Sequence, residues 1–206
     1  MNQLIDKFPT KIKLGNEIVE INTDFRDCLN IILMFEDSEL SKLEKIELML
    51  ELLYKDPSKI NQNNVEEAVR KGILFLDAGE EKNQNVDNEE EIKPKRVYSF
   101  LKDSQYIYSA IKKSHGVDLE NIEYLHWWKF VYYFFDLDDK TFFSQIVYLR
   151  SQKNKGKLTK EEKVVYSNLE SILELENEEQ YTEEEQEQIN KFMRGLEGVK
   201  NERTCN

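Results

Sequence analysis

Cysteine is scarce: the chain holds only Cys28 and Cys205. A disulfide framework needs more, and a bond to Cys205 at the very end would constrain little, so two free thiols in a reducing compartment are expected. Histidine is equally rare, with His115 and His126 alone, and no HExxH or zinc-spaced cysteine pair occurs. Seven glycines in 206 residues leave little for phosphate-cradling loops. Walker-type, GxGxxG and GxSxG patterns are absent. Long apolar runs are missing as well. The longest, Phe130–Phe135, meets Asp136, Asp138 and Asp139, far short of the about twenty residues a membrane span needs. The opening stretch MNQLIDKFPTK has no signal-peptide core, so the chain is expected to stay in the cytoplasm. Strong basic patches are lacking too: Lys93–Arg96 and Arg150–Lys160 are short and have acidic neighbours. With 34% charged residues and a net charge of −12, the surface should repel nucleic acid and anionic lipid.

What is present is helical periodicity around one aromatic segment. The length suits one domain, with or without appendages, burying about 70% of its unfolded surface. Asn121–Arg150 is the densest apolar stretch, and within it Tyr124, Trp127, Trp128, Val131, Phe134 and Phe135 form one helical stripe. Leu125, Tyr132 and Tyr133 fall on other faces, so this helix is apolar nearly all round and must be buried in a bundle or covered by a partner. Both readings stay open: a central core helix, or a helix whose Trp and Tyr side chains partly form a binding surface. The fold class expected is mainly α, a multi-helix bundle around this central helix with a small N-terminal β-hairpin.

The hairpin falls at about residues 11–21, turning at Gly15-Asn16 and packing Ile12, Leu14, Ile18 and Ile21 on helices. A helix capped by Thr23 or Asp24 runs to about Phe35, burying Phe25, Cys28, Leu29, Ile32 and Leu33, which makes Cys28 a core residue. The next, about Ser38–Tyr54, carries the capping box Ser41-x-x-Glu44, buries Leu40, Leu43, Ile46, Met49, Leu50 and Leu53, and stops at Asp56-Pro57. A third, about Val65–Asp77, turns Val65, Val69, Ile73 and Leu76 inward with Gly79 as C-cap. Residues 78–96 are too polar to pack and read as an exposed acidic loop. A helix at about Asp103–Ser114 follows, with Tyr106, Ile107, Ala110 and Ile111 inward and His115-Gly116 at its end. Asp118 is the expected cap of the central helix, and Asp138 or Asp139 that of Thr141–Arg150, with Phe142, Phe143, Ile146, Val147 and Leu149 inward. Thr159-x-x-Glu162 opens a helix to about Leu175 with Val164, Val165, Leu169 and Ile172 inward. The expected domain is residues 1–175. Residues 176–206 form an acidic extension with one loosely docked helix opened by Thr182-x-x-Glu185.

Chemistry is sparse. Glu123-x-x-His126 has the spacing of carboxylate-bridged di-metal bundles, but such a site needs a second pair that the chain lacks. No metal, cofactor or catalytic residue is assigned, and His126 reads as a partly buried histidine with a hydrogen-bond partner. Paired acids such as Asp138-Asp139 sit at helix starts, where capping accounts for them. The chain is not expected to be an enzyme.

INTDFR (Ile21–Arg26), RVYSF (Arg96–Phe100), YIYSA (Tyr106–Ala110), YLHWWKF (Tyr124–Phe130), FSQIVYLR (Phe143–Arg150) and GKLTKEEKVVY (Gly156–Tyr166) occur in an order that resembles the gene-product-fifteen family of tailed bacteriophages and prophages over roughly Ile12–Leu175. The resemblance implies a non-enzymatic tail assembly chaperone that binds and solubilises the tape-measure protein before the tube polymerises. Other tail assembly or tube proteins and self-association are further partners to consider, with no nucleic acid and no membrane. Tyr124, Trp127, Trp128, Phe130 and Tyr133 are the expected partner contacts. The alternatives are a structural tail or neck component of the virion and, from charge alone, an acidic decoy that mimics DNA.

Overall fold

The computed structural model describes residues 2–80 and 95–175. Most of the expected acidic loop, the acidic extension with its helix, and Cys205 lie outside the described residues. Eight α-helices and one two-stranded antiparallel sheet are present among them, so the fold is mainly α with a small N-terminal hairpin. The described residues divide into two compact units, residues 2–80 with His126–Trp128, and residues 95–125 with 129–175.

In the first unit β1 (Lys11–Leu14) and β2 (Glu17–Glu20) pair about Gly15-Asn16. Gly15 has φ 57°, whereas Asn16 is not in the positive region, the pattern of a type II′ turn and not of one with two positive angles. This turn sets Ile12 opposite Val19 and Lys13 opposite Ile18, and directly opposed residues share a face. Ile12, Leu14, Val19 and Ile21 are therefore buried, while Ile18, expected inward, is 61% exposed. Gly15 N donates to Glu67 Oε2 at 2.8 Å and Lys71 Nζ to the Lys13 carbonyl at 2.5 Å, fastening the hairpin to the helix that bears them.

Helix α1 (Phe25–Glu36) starts at Asp24, whose carboxylate accepts from Arg26 N, and buries Phe25, Cys28 and Ile31. Leu29, Ile32 and Leu33 are only half-buried, so its inward face is rotated toward Ile31. Helix α2 (Lys42–Leu53) has the reciprocal Ser41–Glu44 box and buries Met49 and Leu53, leaving Leu40, Leu43, Ile46 and Leu50 half-buried. Lys45 lies along the same face and spends its charge on the Phe35 carbonyl at 3.1 Å. Helix α3 (Val65–Leu76) buries Ala68, Val69, Gly72, Phe75 and Leu76. Ile73, expected inward, is exposed. Small residues make the contact instead: a Cβ at Gly72 would lie 3.1 Å from Leu53 Cδ2 and 3.4 Å from Met49 Cε, so α2 packs where α3 has least side chain. Tyr54 closes α2 with its hydroxyl donating to the Ala68 carbonyl at 2.8 Å. Cys28 is sealed in this core, and burial, with Asp27 and Asp24 nearby, holds its thiol far above the ordinary range.

In the second unit α4 (Ser104–His115) buries Ile107, Ala110 and Ile111 and ends on Gly116 at φ 68°. The expected central helix is shorter than its apolar pattern. It forms only as α5, Trp127–Phe135, with Trp127 and Trp128 in the first unit and the rest in the second. Asp118 does not cap it. Its carboxylate accepts from Lys112 Nζ, Tyr108 OH and Asn121 Nδ2, which hold it well below the usual carboxylate range. Helix formation before Trp127 is overridden by tertiary pairing, because Trp127 N donates to the Thr23 carbonyl at 2.7 Å and His126 bridges Asp24.

Helix α6 (Phe142–Asn154) is capped by Thr141, not by Asp138 or Asp139, since Asp138 is occupied with Lys140 N. It buries Phe143, Ile146, Leu149 and Arg150, with Phe142 exposed and Val147 half-buried. Helix α7 (Lys160–Asn168) has the Thr159–Glu162 box and breaks at Leu169 into α8 (Glu170–Leu173). That break resets the helical phase. Tyr166 and Leu173 turn inward on Ile146 and Leu149, while Val164 and Val165, expected inward, are exposed. Arg150 and Asp103 are buried beneath them.

Candidate interaction surface

The five aromatic residues expected to touch a partner divide between the two units. In the first, Trp127 and Trp128 are buried and do backbone work. A helix leaves its last carbonyls without intrahelical partners, and α3 hands two of them to indoles: Trp127 Nε1 donates to Leu76 O at 2.9 Å and Trp128 Nε1 to Phe75 O at 2.8 Å. The chain turns sharply past this end, with Ala78 at φ 55° and Gly79 at φ 82°. A Cβ at Gly79 would sit 2.9 Å from Trp128 Cη2, so a side chain here is barred by both angle and space.

His126 completes the node. Trp128 N donates to its Nδ1 at 3.1 Å, so Nε2 carries the proton and donates to the Pro9 carbonyl at 3.0 Å. Phe8 and Phe75 flank the imidazole at 5.0 and 6.0 Å between centroids. Burial lowers its pKa from the ordinary 6.5, and the Pro9 bond offsets this only in part. The expected reading of His126 as a buried, hydrogen-bonded histidine holds, and Glu123 shares no helical face with it because residues 123–126 are not helical.

In the second unit Phe130 is buried beside Phe100, which with Tyr98, Phe134 and Phe143 makes a ring cluster with centroids 5.0–6.3 Å apart. Tyr133 is half-buried, stacked on His115 at 4.6 Å with Lys129 Nζ 5.6 Å from its centroid. Tyr124 is 53% exposed. Of the five, Tyr124 presents most surface. Phe135, absent from the expected set, presents more at 73%, with Leu101 and Phe142 also exposed. The signal for Phe135 was its position as the last apolar residue before Asp136, where a helix leaves its core.

Among the described residues no group of three His, Cys, Asp or Glu side chains is placed to hold a metal ion. None of their helices is long and apolar enough to cross a membrane.

The family model for the bacteriophage Gp15 protein matches residues 4–175. The chain belongs to the bacteriophage Gp15 protein family. No curated protein and no solved structure matches it significantly. Family membership makes this a bacteriophage protein, and the match takes in both described units. The residues that close the second unit, Arg150, Ile172 and Leu173, fall inside it.

Proposed function

We propose that this phage protein is a non-enzymatic tail assembly chaperone, acting in the host cytoplasm, that binds and solubilises the tape-measure protein. The observation that carries the reading is the exposure of large apolar side chains in the second unit, above all Phe135 and Tyr124, on a chain of net charge −12. Single exposed apolar residues are ordinary, but a phenylalanine this open offers about 1.5–3 kcal/mol on burial. A long helical cargo that presents many apolar stripes would engage such sites weakly and repeatedly, with avidity supplying the affinity. Phe130 then acts as core of the second unit, Trp127 and Trp128 as core of the first, and Tyr124, Phe135 and Phe142 make the contact.

The test is co-expression with a phage tape-measure protein, scoring cargo solubility and co-elution. Rescue and co-elution with the native chain, both weakened by Phe135→Ser with an unchanged melting temperature, are expected. A folded chain that neither rescues nor co-elutes would sink the reading, and stoichiometric recovery of the protein in purified particles would put the structural component in its place.

A further inference from the structure

Helix α5 carries its charges against its own dipole, which favours anions at the start of a helix and cations at the end. Lys129, the only charged residue within Trp127–Phe135, stands in the first turn; the last turn holds no basic residue, and Asp136 follows directly. The last carbonyls of a helix need donors from outside it. Tyr132 O accepts from Asp136 N at 3.0 Å and Tyr133 O from His115 Nε2 at 2.9 Å. Phe134 O and Phe135 O have no donor among the described residues.

The turn beyond adds charge of the same sign, Asp136, Asp138 and Asp139 against Lys140. Asp138 is occupied by Lys140 N, and Lys113, a cation that reaches this turn, donates to the Lys140 carbonyl at 3.3 Å. The Asp136 carboxylate is exposed and has no partner among the described residues. Next to it in the chain is Phe135, 73% exposed, its ring edge-on to Phe134 at 5.4 Å between centroids. Helix stability accounts for neither residue: Asp136 opposes the dipole, and Phe135 leaves apolar area in water.

An open ring edged by an uncompensated carboxylate and open carbonyls fits an apolar side chain with a cation near it. A metal ion alone would leave Phe135 unused. An uncharged apolar cargo would cover Asp136 without pairing it, which costs free energy. A lysine or arginine can donate both to the last carbonyls of a helix and to a carboxylate. We infer that this end of α5 takes a cationic amphipathic helix, an apolar residue of the partner resting on Phe135 while a lysine or arginine meets Asp136 and the Phe134 and Phe135 carbonyls. Residues three or four apart on the partner helix share a face and supply both groups. The inference rests on the chaperone reading above and gives its cargo a chemistry, apolar stripes bordered by basic residues. The net charge of −12 draws such a segment in, and Asp136 selects it on contact.

Fluorescence anisotropy of two labelled peptides with the full chain tests this. Both carry the same leucine stripe, one bordered by lysines and the other by glutamates. The lysine peptide should bind about tenfold tighter at about 0.15 M salt and lose most of that lead at about 1 M. Asp136→Asn should weaken it about two- to fivefold, with a melting temperature at or above the native one because the change relieves α5. Glu39→Gln removes an exposed carboxylate of the first unit and should leave binding as it was, which separates contact from net charge. Phe135→Ser should weaken the lysine peptide at both salt concentrations. Equal binding of the two peptides, a lysine preference that survives Asp136→Asn or falls as much with Glu39→Gln, or a Phe135→Ser chain that binds like the native one would overturn the inference and leave the chaperone reading standing. A folded chain that binds neither peptide would overturn it as well, and cargo rescue in co-expression then decides the chaperone reading by itself.

Discussion

Arg150 grips Asp103 with two parallel hydrogen bonds, Nη1 to Oδ2 at 2.5 Å and Nη2 to Oδ1 at 2.9 Å, with both side chains almost wholly out of water. The other three guanidinium N–H groups donate to the Leu173, Val97 and Ile172 carbonyls at 2.7, 3.2 and 2.8 Å, so all five are satisfied. Asp103 in turn accepts from Ser99 N at 2.9 Å. One side chain thus ties α6 to the start of α4, to the irregular segment before it and to α8. Removing one partner strands the other charge, so Arg150→Ala should lose about 3–5 kcal/mol. Arg150→Lys should recover little, because an ammonium cannot reproduce the fork. The double change Arg150→Met with Asp103→Leu should be less harmful than either single change, which urea denaturation of all four chains would measure.

The indoles predict an asymmetry. Leu76 O accepts from Trp127 Nε1, whereas Phe75 O accepts from both Trp128 Nε1 and, at 3.0 Å, Ala78 N. Trp127→Phe should therefore cost about 1–3 kcal/mol for the stranded carbonyl, and Trp128→Phe less. Trp127→Ala adds a cavity and should cost about 3–5 kcal/mol. Tyr124→Ala, on the surface, should stay within about 0.5 kcal/mol. Thermal melts of the four variants rank them, and a Trp127→Ala chain as stable as the native one would contradict the buried placement.

His126 gives the protein a pH dependence of definite sign. Its folded pKa is depressed from 6.5 by burial, so between that lowered value and 6.5 the unfolded chain binds more protons, and stability falls as pH falls through this window. Geometry points the same way: protonated Nδ1 would set an N–H against Trp128 N–H. Native stability should exceed that of His126→Gln at pH above 7, and the gap should narrow as pH falls below about 6.5. Denaturant midpoints across that range read it, and parallel curves for the two chains would contradict the assignment.

Local signals were legible in the residues, and long-range ones were not. Ser41-x-x-Glu44, Thr159-x-x-Glu162, Gly116 and the Gly15-Asn16 turn announce themselves because each is a short-range hydrogen-bond pattern or a backbone angle. The inward face of α3 was hidden because Ala68 and Gly72 carry almost no hydrophobic signal, while Ile73 carries a strong one and faces water. The start of α5 was misplaced by the continuous apolar pattern from Leu119, since nothing in it shows that Thr23 will take the Trp127 amide. Arg150 sat in a visibly basic stretch, and its partner Asp103 is 47 residues away. For the candidate surface, aromatic content marked a segment but did not show which of its rings are spent on the core.

The hairpin offers the sharpest test of register. Val19 has no exposed surface and Ile18 is 61% exposed, though the two are neighbours of similar chemistry. Shifting the pairing by one residue would exchange them. Opposite Ile12, Val19 packs inward, so Val19→Ala should cost about 1–3 kcal/mol from lost burial and the cavity left behind. Ile18→Thr keeps a β-branched residue on the wet face and should change stability by less than about 0.5 kcal/mol. Gly15→Ala separates the turn from the packing: nothing lies within 4 Å of the new Cβ, so any loss reports the positive φ alone and should be about 1 kcal/mol. If Ile18→Thr proved as damaging as Val19→Ala, the type II′ register described for β1 and β2 would be wrong, and with it the fastening of Gly15 to Glu67.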